Sequence, residues 1–155
     1  GSCDSESWVQ AAKVVTSDAS SLDYFAMSVS GITSNSFVAA SLYDGGTGSA
    51  YVFTIGTGSW VQAGKVVASD GSNSDRFGYS VSGGSSNFFV VGAAYDDSDQ
   101  YSNSGSAYVF TNNFGSWVQA AKVVASDSSS YAYLGDDVAI ISNSSFVAGA
   151  GDLGA

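Results

Sequence analysis

Nine residues of this chain occur three times: Ser7-Trp8-Val9-Gln10-Ala11-Ala12-Lys13-Val14-Val15, then Ser59-Trp60-Val61-Gln62-Ala63-Gly64-Lys65-Val66-Val67, then Ser116-Trp117-Val118-Gln119-Ala120-Ala121-Lys122-Val123-Val124. The tryptophans stand 52 and then 57 residues apart, and all three lysines fall at one repeat position. Self-similarity at a period of about 50 residues means an array of supersecondary units, each burying its apolar face against the next. A Ser-Asp pair follows each copy (Ser17-Asp18, Ser69-Asp70, Ser126-Asp127), and Phe25, Phe77 or Leu134 comes 17 residues after each tryptophan. Gly48-Ser49-Ala50-Tyr51-Val52-Phe53-Thr54 returns as Gly105-Ser106-Ala107-Tyr108-Val109-Phe110-Thr111.

Within a unit the residues predict four short strands. In the second unit these are Phe77 to Ser82, Phe88 to Tyr95, Ser106 to Thr111 and Trp117 to Ala125. The first and fourth alternate apolar with polar residues, as a half-buried strand does. The second is apolar on both faces and so is expected to be buried on both. Gly, Ser, Asn and Asp fill the connections, as hairpin turns require. No apolar period of three to four residues is sustained, so no helix is predicted. The expected fold is all-β: antiparallel four-stranded repeat blades forming a partial or assembled β-propeller.

Counting strands gives residues 7–23 as a lone fourth strand (Trp8 to Thr16) and its loop, 24–75 as a first blade, 76–132 as a second and 133–155 as an incomplete third. That makes eleven expected strands, with one third strand lacking from a set of three complete blades. Two readings follow. The residues are part of a longer propeller, or several copies associate and complete one another's blades into a ring or a filament. Both predict partners that are other copies of the chain or remaining blades of a longer one.

At Phe77-Gly78 and Gly92-Ala93-Ala94 the sequence resembles FG-GAP repeats, the blades of integrin α-subunit propellers and of many secreted or surface proteins. The resemblance runs over nearly the whole chain from Trp8 onward. It implies an extracellular or cell-surface, non-catalytic protein acting in adhesion or in an extracellular assembly, with a ligand on the loop face (a glycan or a protein partner) as the alternative. The first and third units depart at the FG position, with Phe25-Ala26 and Leu134-Gly135. The integrin-type calcium loop lies between first and second strands and is rich in Asp. The loops here, Ser30 to Ser36, Ser82 to Asn87 and Ile141 to Ser145, contain no acidic residue, so those sites are not carried over.

The repeated residues themselves predict packing. Gly78, Gly135 and Gly92 are expected where strands and neighbouring blades approach too closely for a side chain. Trp8, Trp60 and Trp117 are expected to cover the seams between blades, with a sugar-stacking platform as the competing reading. Blade packing is thus assigned to Trp8, Trp60, Trp117, Phe77, Gly78 and Gly92.

Little reactive chemistry is offered. With no His and one Cys, the usual base, nucleophile and zinc arrangements are missing, and an enzyme is not expected. Asp96, Asp97 and Asp99 crowd one loop and are a candidate calcium site, though short of the ligands such a loop needs. Calcium is the one cofactor that the sequence brings forward. Asp18/Asp23 and Asp70/Asp75 flank the loops into the first strands, where Asp typically accepts from nearby backbone amides. Asn143-Ser144-Ser145 is a candidate acceptor for N-linked sugar. Cys3 is left to a partner outside these residues or to a free thiol. The net charge of −10 repels nucleic-acid phosphates and anionic lipid. The longest apolar run, Phe88 to Tyr95, falls far short of the roughly 18 residues that span a bilayer, so no membrane insertion is expected.

Overall fold

The computed structural model describes residues 7–84 and 87–151. Ten strands run in chain order: β1 (Phe25–Thr33), β2 (Ser36–Ser41), β3 (Ser49–Ile55), β4 (Trp60–Val66), β5 (Ser80–Gly83), β6 (Phe88–Ala93), β7 (Ser106–Asn113), β8 (Ser116–Val123), β9 (Leu134–Ser142) and β10 (Ser145–Ala150). They form two antiparallel four-stranded sheets, β1-β2-β3-β4 and β5-β6-β7-β8, and a two-stranded sheet of β9 and β10. These are the expected blades, and among the described residues the only helical element is the short 3-10 turn Asp44–Gly46.

Two details differ from the sequence expectation. Phe77 and Gly78 form a turn, and the strand begins only at Ser80. Residues 7–16, expected as a lone fourth strand, form no strand. β4 and β8 are each held by a third strand, β3 and β7, and no such neighbour stands beside Trp8 to Thr16 among the described residues. Val14 still packs against the first blade.

Strand alternation gives each blade two unlike faces. In the first blade Phe37, Tyr51, Phe53 and Trp60 gather on one face with Phe25, while Val38, Ala40, Ala50, Val52 and Val66 lie on the other. The aromatic face of the second blade, Phe77, Phe89, Tyr108 and Phe110, closes onto that aliphatic face and makes the main core. The second blade's aliphatic side, Val90, Ala107 and Val109, then meets Val138, Ile140 and Phe146 of the third. Large flat rings thus meet small branched side chains between the blades.

The first strands of successive blades lie side by side and are joined by serine hydroxyls rather than by a ladder. Val81 N–H donates to Ser28 Oγ (3.0 Å), Gly83 N–H to Ser30 Oγ (2.9 Å) and Ile140 N–H to Ser82 Oγ (3.0 Å). Elsewhere between the blades the backbones approach closely enough to exclude side chains at particular positions. A Cβ on Gly92 would stand 2.0 Å from the Gly135 carbonyl oxygen, and one on Gly78 would stand 2.9 Å from Ala40 Cβ.

Candidate functional site

The fourth strand carries an irregularity at the same place in both complete blades. Between Val52/Phe53 and again between Val109/Phe110 the register with the third strand shifts by one, leaving Ala63 and Ala120 as the extra residues of a bulge. In an unbroken strand Trp60 and Lys65 would point to opposite faces. The bulge reverses the alternation partway. Trp60 packs in the aromatic face, Gln62 Oε1 accepts from Ser17 N–H at 3.0 Å, and Lys65 reaches back to the same preceding segment, while Val66 faces the next blade.

Lys65 closes a latch. Its Nζ lies 2.6 Å from Asp18 Oδ2 and 2.6 Å from Asp44 Oδ2. Tyr51 OH donates to Asp18 Oδ1 (3.0 Å) and sits 3.1 Å from Asp44 Oδ2, and Ser49 Oγ donates to Asp44 as well. Asp18 comes from the segment before the first blade, and the other four residues come from the blade itself. The next unit repeats the set. Lys122 Nζ lies 2.6 Å from Asp70 and 2.8 Å from Asp96, Tyr108 OH donates to Asp70 (3.0 Å), Ser106 donates to Asp96, and Ser69 N–H donates to Gln119 (3.0 Å). Asp70 belongs to the connection leaving the first blade, so this latch ties blade one to blade two.

The electrostatics suit clamping. The Lys65 hydrogen bond holds the Asp18 carboxyl below its ordinary value. Burial works against the charges of Asp44 and Asp70, but the lysine partners more than offset it and both stay depressed. Burial likewise opposes the charge on Lys65 and Lys122, yet their paired carboxylates raise both above the ordinary lysine value. Burial and the nearby carboxylates push the Tyr51 phenol up to about 12 and raise Tyr108 as well. A lysine held this firmly as ammonium has no lone pair to act as base or nucleophile.

The residues singled out from the sequence divide between core, latch and surface. Phe77 and Gly78 are buried at the seam between the first two blades, and Gly92 lies against Gly135 of the third. Trp117 packs on Phe89 at 4.8 Å between ring centroids and lies against Gly64 of the preceding blade, and Trp60 packs on Phe37 at 5.0 Å. Trp8 is 95% exposed and covers no seam among the described residues.

Asp96, Asp97 and Asp99 are not gathered into one group. Asp96 is buried in the second latch, Asp97 accepts from Asn103 N–H at 2.6 Å, and Asp99 is exposed. Among the described residues no cluster of three or more acidic, His or Cys side chains is placed to hold a metal. Asp23 and Asp75 accept from the Ser20 and Ser72 amides, as expected of turn aspartates, whereas Asp18 and Asp70 are spent on the latches. Asn143 is exposed in the β9–β10 turn. Cys3 lies outside the described residues.

The latch residues escaped sequence reasoning, though signals for them were present: one lysine position in every unit, a Ser-Asp pair at fixed distance after each tryptophan, and Tyr-Asp at 43–44 and 95–96. Among the described residues no helix is long and apolar enough to cross a membrane. Residues 8–53 and 60–110 each match the sequence profile of the FG-GAP repeat. No match is found among curated proteins.

Proposed function

The chain belongs to the FG-GAP repeat family, and on that premise we propose that it is a non-catalytic structural and adhesive protein of the cell exterior, one that works by docking like units into a larger propeller or a self-assembling ring or filament. Proteins of this propeller family are generally not enzymes and occur in extracellular or surface proteins. The latch is the observation that carries the reading. It joins one unit to the next through a Lys, a Gln and a Tyr on the later unit and a Ser-Asp on the earlier, and it does so twice.

The two halves of a further latch stand unmatched. Gln10 and Lys13 present the later half, and Ser126 and Asp127 the earlier half. Among the described residues neither Lys13 nor Asp127 makes an ion pair. Opposite charges at matched positions favour a head-to-tail contact over head-to-head or tail-to-tail ones. Such a contact is heterologous, and it yields a ring where the rotation closes and a filament where it does not.

Sedimentation of the chain over a range of concentrations tests the proposal. Association that weakens in Lys13→Asp and in Asp127→Lys, and returns in the doubly swapped variant, is the expected result. A monomer at every concentration, or association indifferent to both single reversals, would overturn self-assembly through this contact.

A further inference from the structure

At the rim where β2 leads into β3, and where each first strand is entered, the side chains form a row of rings that the latch does not use. Tyr24 packs on Tyr43 at 5.3 Å between centroids, and the Arg76 guanidinium lies 5.9 Å from the Tyr43 ring and 3.9 Å from that of Tyr95. Tyr95 continues to Tyr133 at 5.1 Å and flanks Tyr79 at 5.8 Å. The row therefore crosses all three blades. Tyr24 and Tyr43 are 52% and 39% exposed, and Arg76, Tyr79, Tyr95 and Tyr133 are half-buried.

Three members of the row are held in a backbone conformation that side chains disfavour. Tyr24, Arg76 and Tyr133 occupy the residue before Phe25, Phe77 and Leu134, with φ of 52°, 55° and 54°. A left-handed conformation costs a non-glycine residue on the order of 1–2 kcal/mol. Glycine or asparagine would be the inexpensive choice, and retained strain of this kind concentrates at binding sites. Among the described residues the Arg76 guanidinium makes no ion pair, in a chain with a net charge of −10, and its contacts are the Tyr43 and Tyr95 rings. Exposed Asp136 follows Tyr133 by three residues, and its N–H donates to the Tyr133 carbonyl (3.0 Å), so a carboxylate stands in the turn that ends the row.

From this arrangement we infer that the rim is a binding strip for a neutral polysaccharide, whose sugar rings lie along the Tyr43–Arg76–Tyr95–Tyr133 row. The apolar C–H face of a pyranose stacks on a tyrosine ring, and its hydroxyl edge takes the forked donors of Arg76 and the acceptor of Asp136. A polyanion meets a strongly acidic protein and is repelled. A proline-rich peptide uses aromatic grooves of similar make-up, but it offers the guanidinium and the carboxylate less to bond. The inference is independent of whether copies of the chain associate.

The test uses immobilised neutral oligosaccharides (glucose-, mannose- and N-acetylglucosamine-based), their uronate and sulfated counterparts, and decaproline, followed by calorimetry with the best soluble probe. At least one neutral glycan is expected to bind. Its affinity should drop about tenfold or more, a loss of roughly 1.4 kcal/mol per tenfold, in Arg76→Ala and in Tyr95→Ala. Tyr101→Ala, outside the row, should bind as the parent does. If Tyr95→Ala melts early, the exposed Tyr43→Ala gives the same reading without touching the core. Binding of decaproline or of the anionic glycans alone, no binding at all, or binding that survives both rim substitutions would overturn the inference.

Discussion

Lys65 Nζ sits 2.6 Å from the carboxylate of Asp18, a residue 47 positions earlier in the chain, and Lys122 stands in the same relation to Asp70, 52 positions earlier. The two partners of each lysine are not equivalent. Asp96 has a side chain only 7% exposed, whereas that of Asp70 is 48% exposed. Removing the cation therefore strands one nearly buried charge and one solvated charge. Lys122→Met should destabilise the chain by about 2–3 kcal/mol, below the full loss of a buried pair because Lys122 is itself partly exposed. Asp70→Asn should lose less than about 1 kcal/mol. Lys13→Met, at the same repeat position but with no ion pair among the described residues, should stay within about 0.5 kcal/mol of the parent in the unassociated chain. Urea titrations of the three variants decide it, and equal losses in Lys13→Met and Lys122→Met would refute the latch.

The glycines allow a sharper contrast. A methyl group on Gly92 would fall 2.0 Å from the Gly135 carbonyl oxygen, and relief requires two blades to move apart. Gly31 is exposed in β1, a Cβ there meets nothing within 4 Å, and its φ is not in the left-handed region. Gly92→Ala is expected to cost several kcal/mol or to prevent folding, as overpacking against rigid backbone does. Gly31→Ala should be neutral or stabilising by up to about 1 kcal/mol through the unfolded chain. A thermal melt of Gly92→Ala matching the parent would mean that the blades do not approach as closely as described.

How much of this was legible depended on whether a feature was local to one unit. The four-strand unit and, among the described residues, the absence of α-helix follow from alternation and appear as read. Gly78, Gly92 and Gly135 stand where an added Cβ would collide with a neighbouring blade. The bulges at Ala63 and Ala120 did not. A one-residue register shift leaves the apolar–polar pattern of Trp60–Val66 looking unbroken, so the side of the sheet that Lys65 faces could not be read from it. For the same reason Asp96 looked like a loop carboxylate available to calcium, when its partner Lys122 comes from the far strand of the same sheet. Trp8 to Thr16 has the sequence of β4 and β8, but no third strand stands beside it among the described residues, whereas β4 and β8 are each paired with one.

The serine contacts between first strands predict a local effect. Ser30 Oγ accepts from Gly83 N–H and Ser82 Oγ from Ile140 N–H, in place of a backbone ladder between blades. Ser82→Ala should cost about 1 kcal/mol, the usual net worth of one such bond. Its signature should be spatially confined: the Ile140 amide exchanges with deuterium faster, while the Val81 amide, bonded to Ser28, keeps its protection. Uniform loosening of both amides would mean that the serine acts by packing rather than by accepting that bond.

The response to pH should be lopsided. On the acid side Asp18, Asp44 and Asp70 are depressed, so what their ionisation contributes is complete above the ordinary carboxylate range near ~3.9 and is lost only as pH falls through their lower folded values. Asp75, raised by burial, works the other way and favours the fold as it takes up a proton. On the alkaline side the contributions share one sign. Tyr51 keeps its proton to about 12 in the folded chain, whereas a free tyrosine loses it near ~10. Lys65 and Lys122 are likewise held above the ordinary lysine value. Between these limits the unfolded chain binds fewer protons than the native one, so stability must fall as pH rises. Melting temperatures measured by circular dichroism should change little from roughly pH 5 to 9 and drop steeply between about 10 and 12. The drop should be smaller in Tyr51→Phe/Tyr108→Phe, which has no latch phenol to ionise and starts from a lower plateau. An alkaline limb of equal size in parent and double variant would show that the latch phenols do not hold these protons.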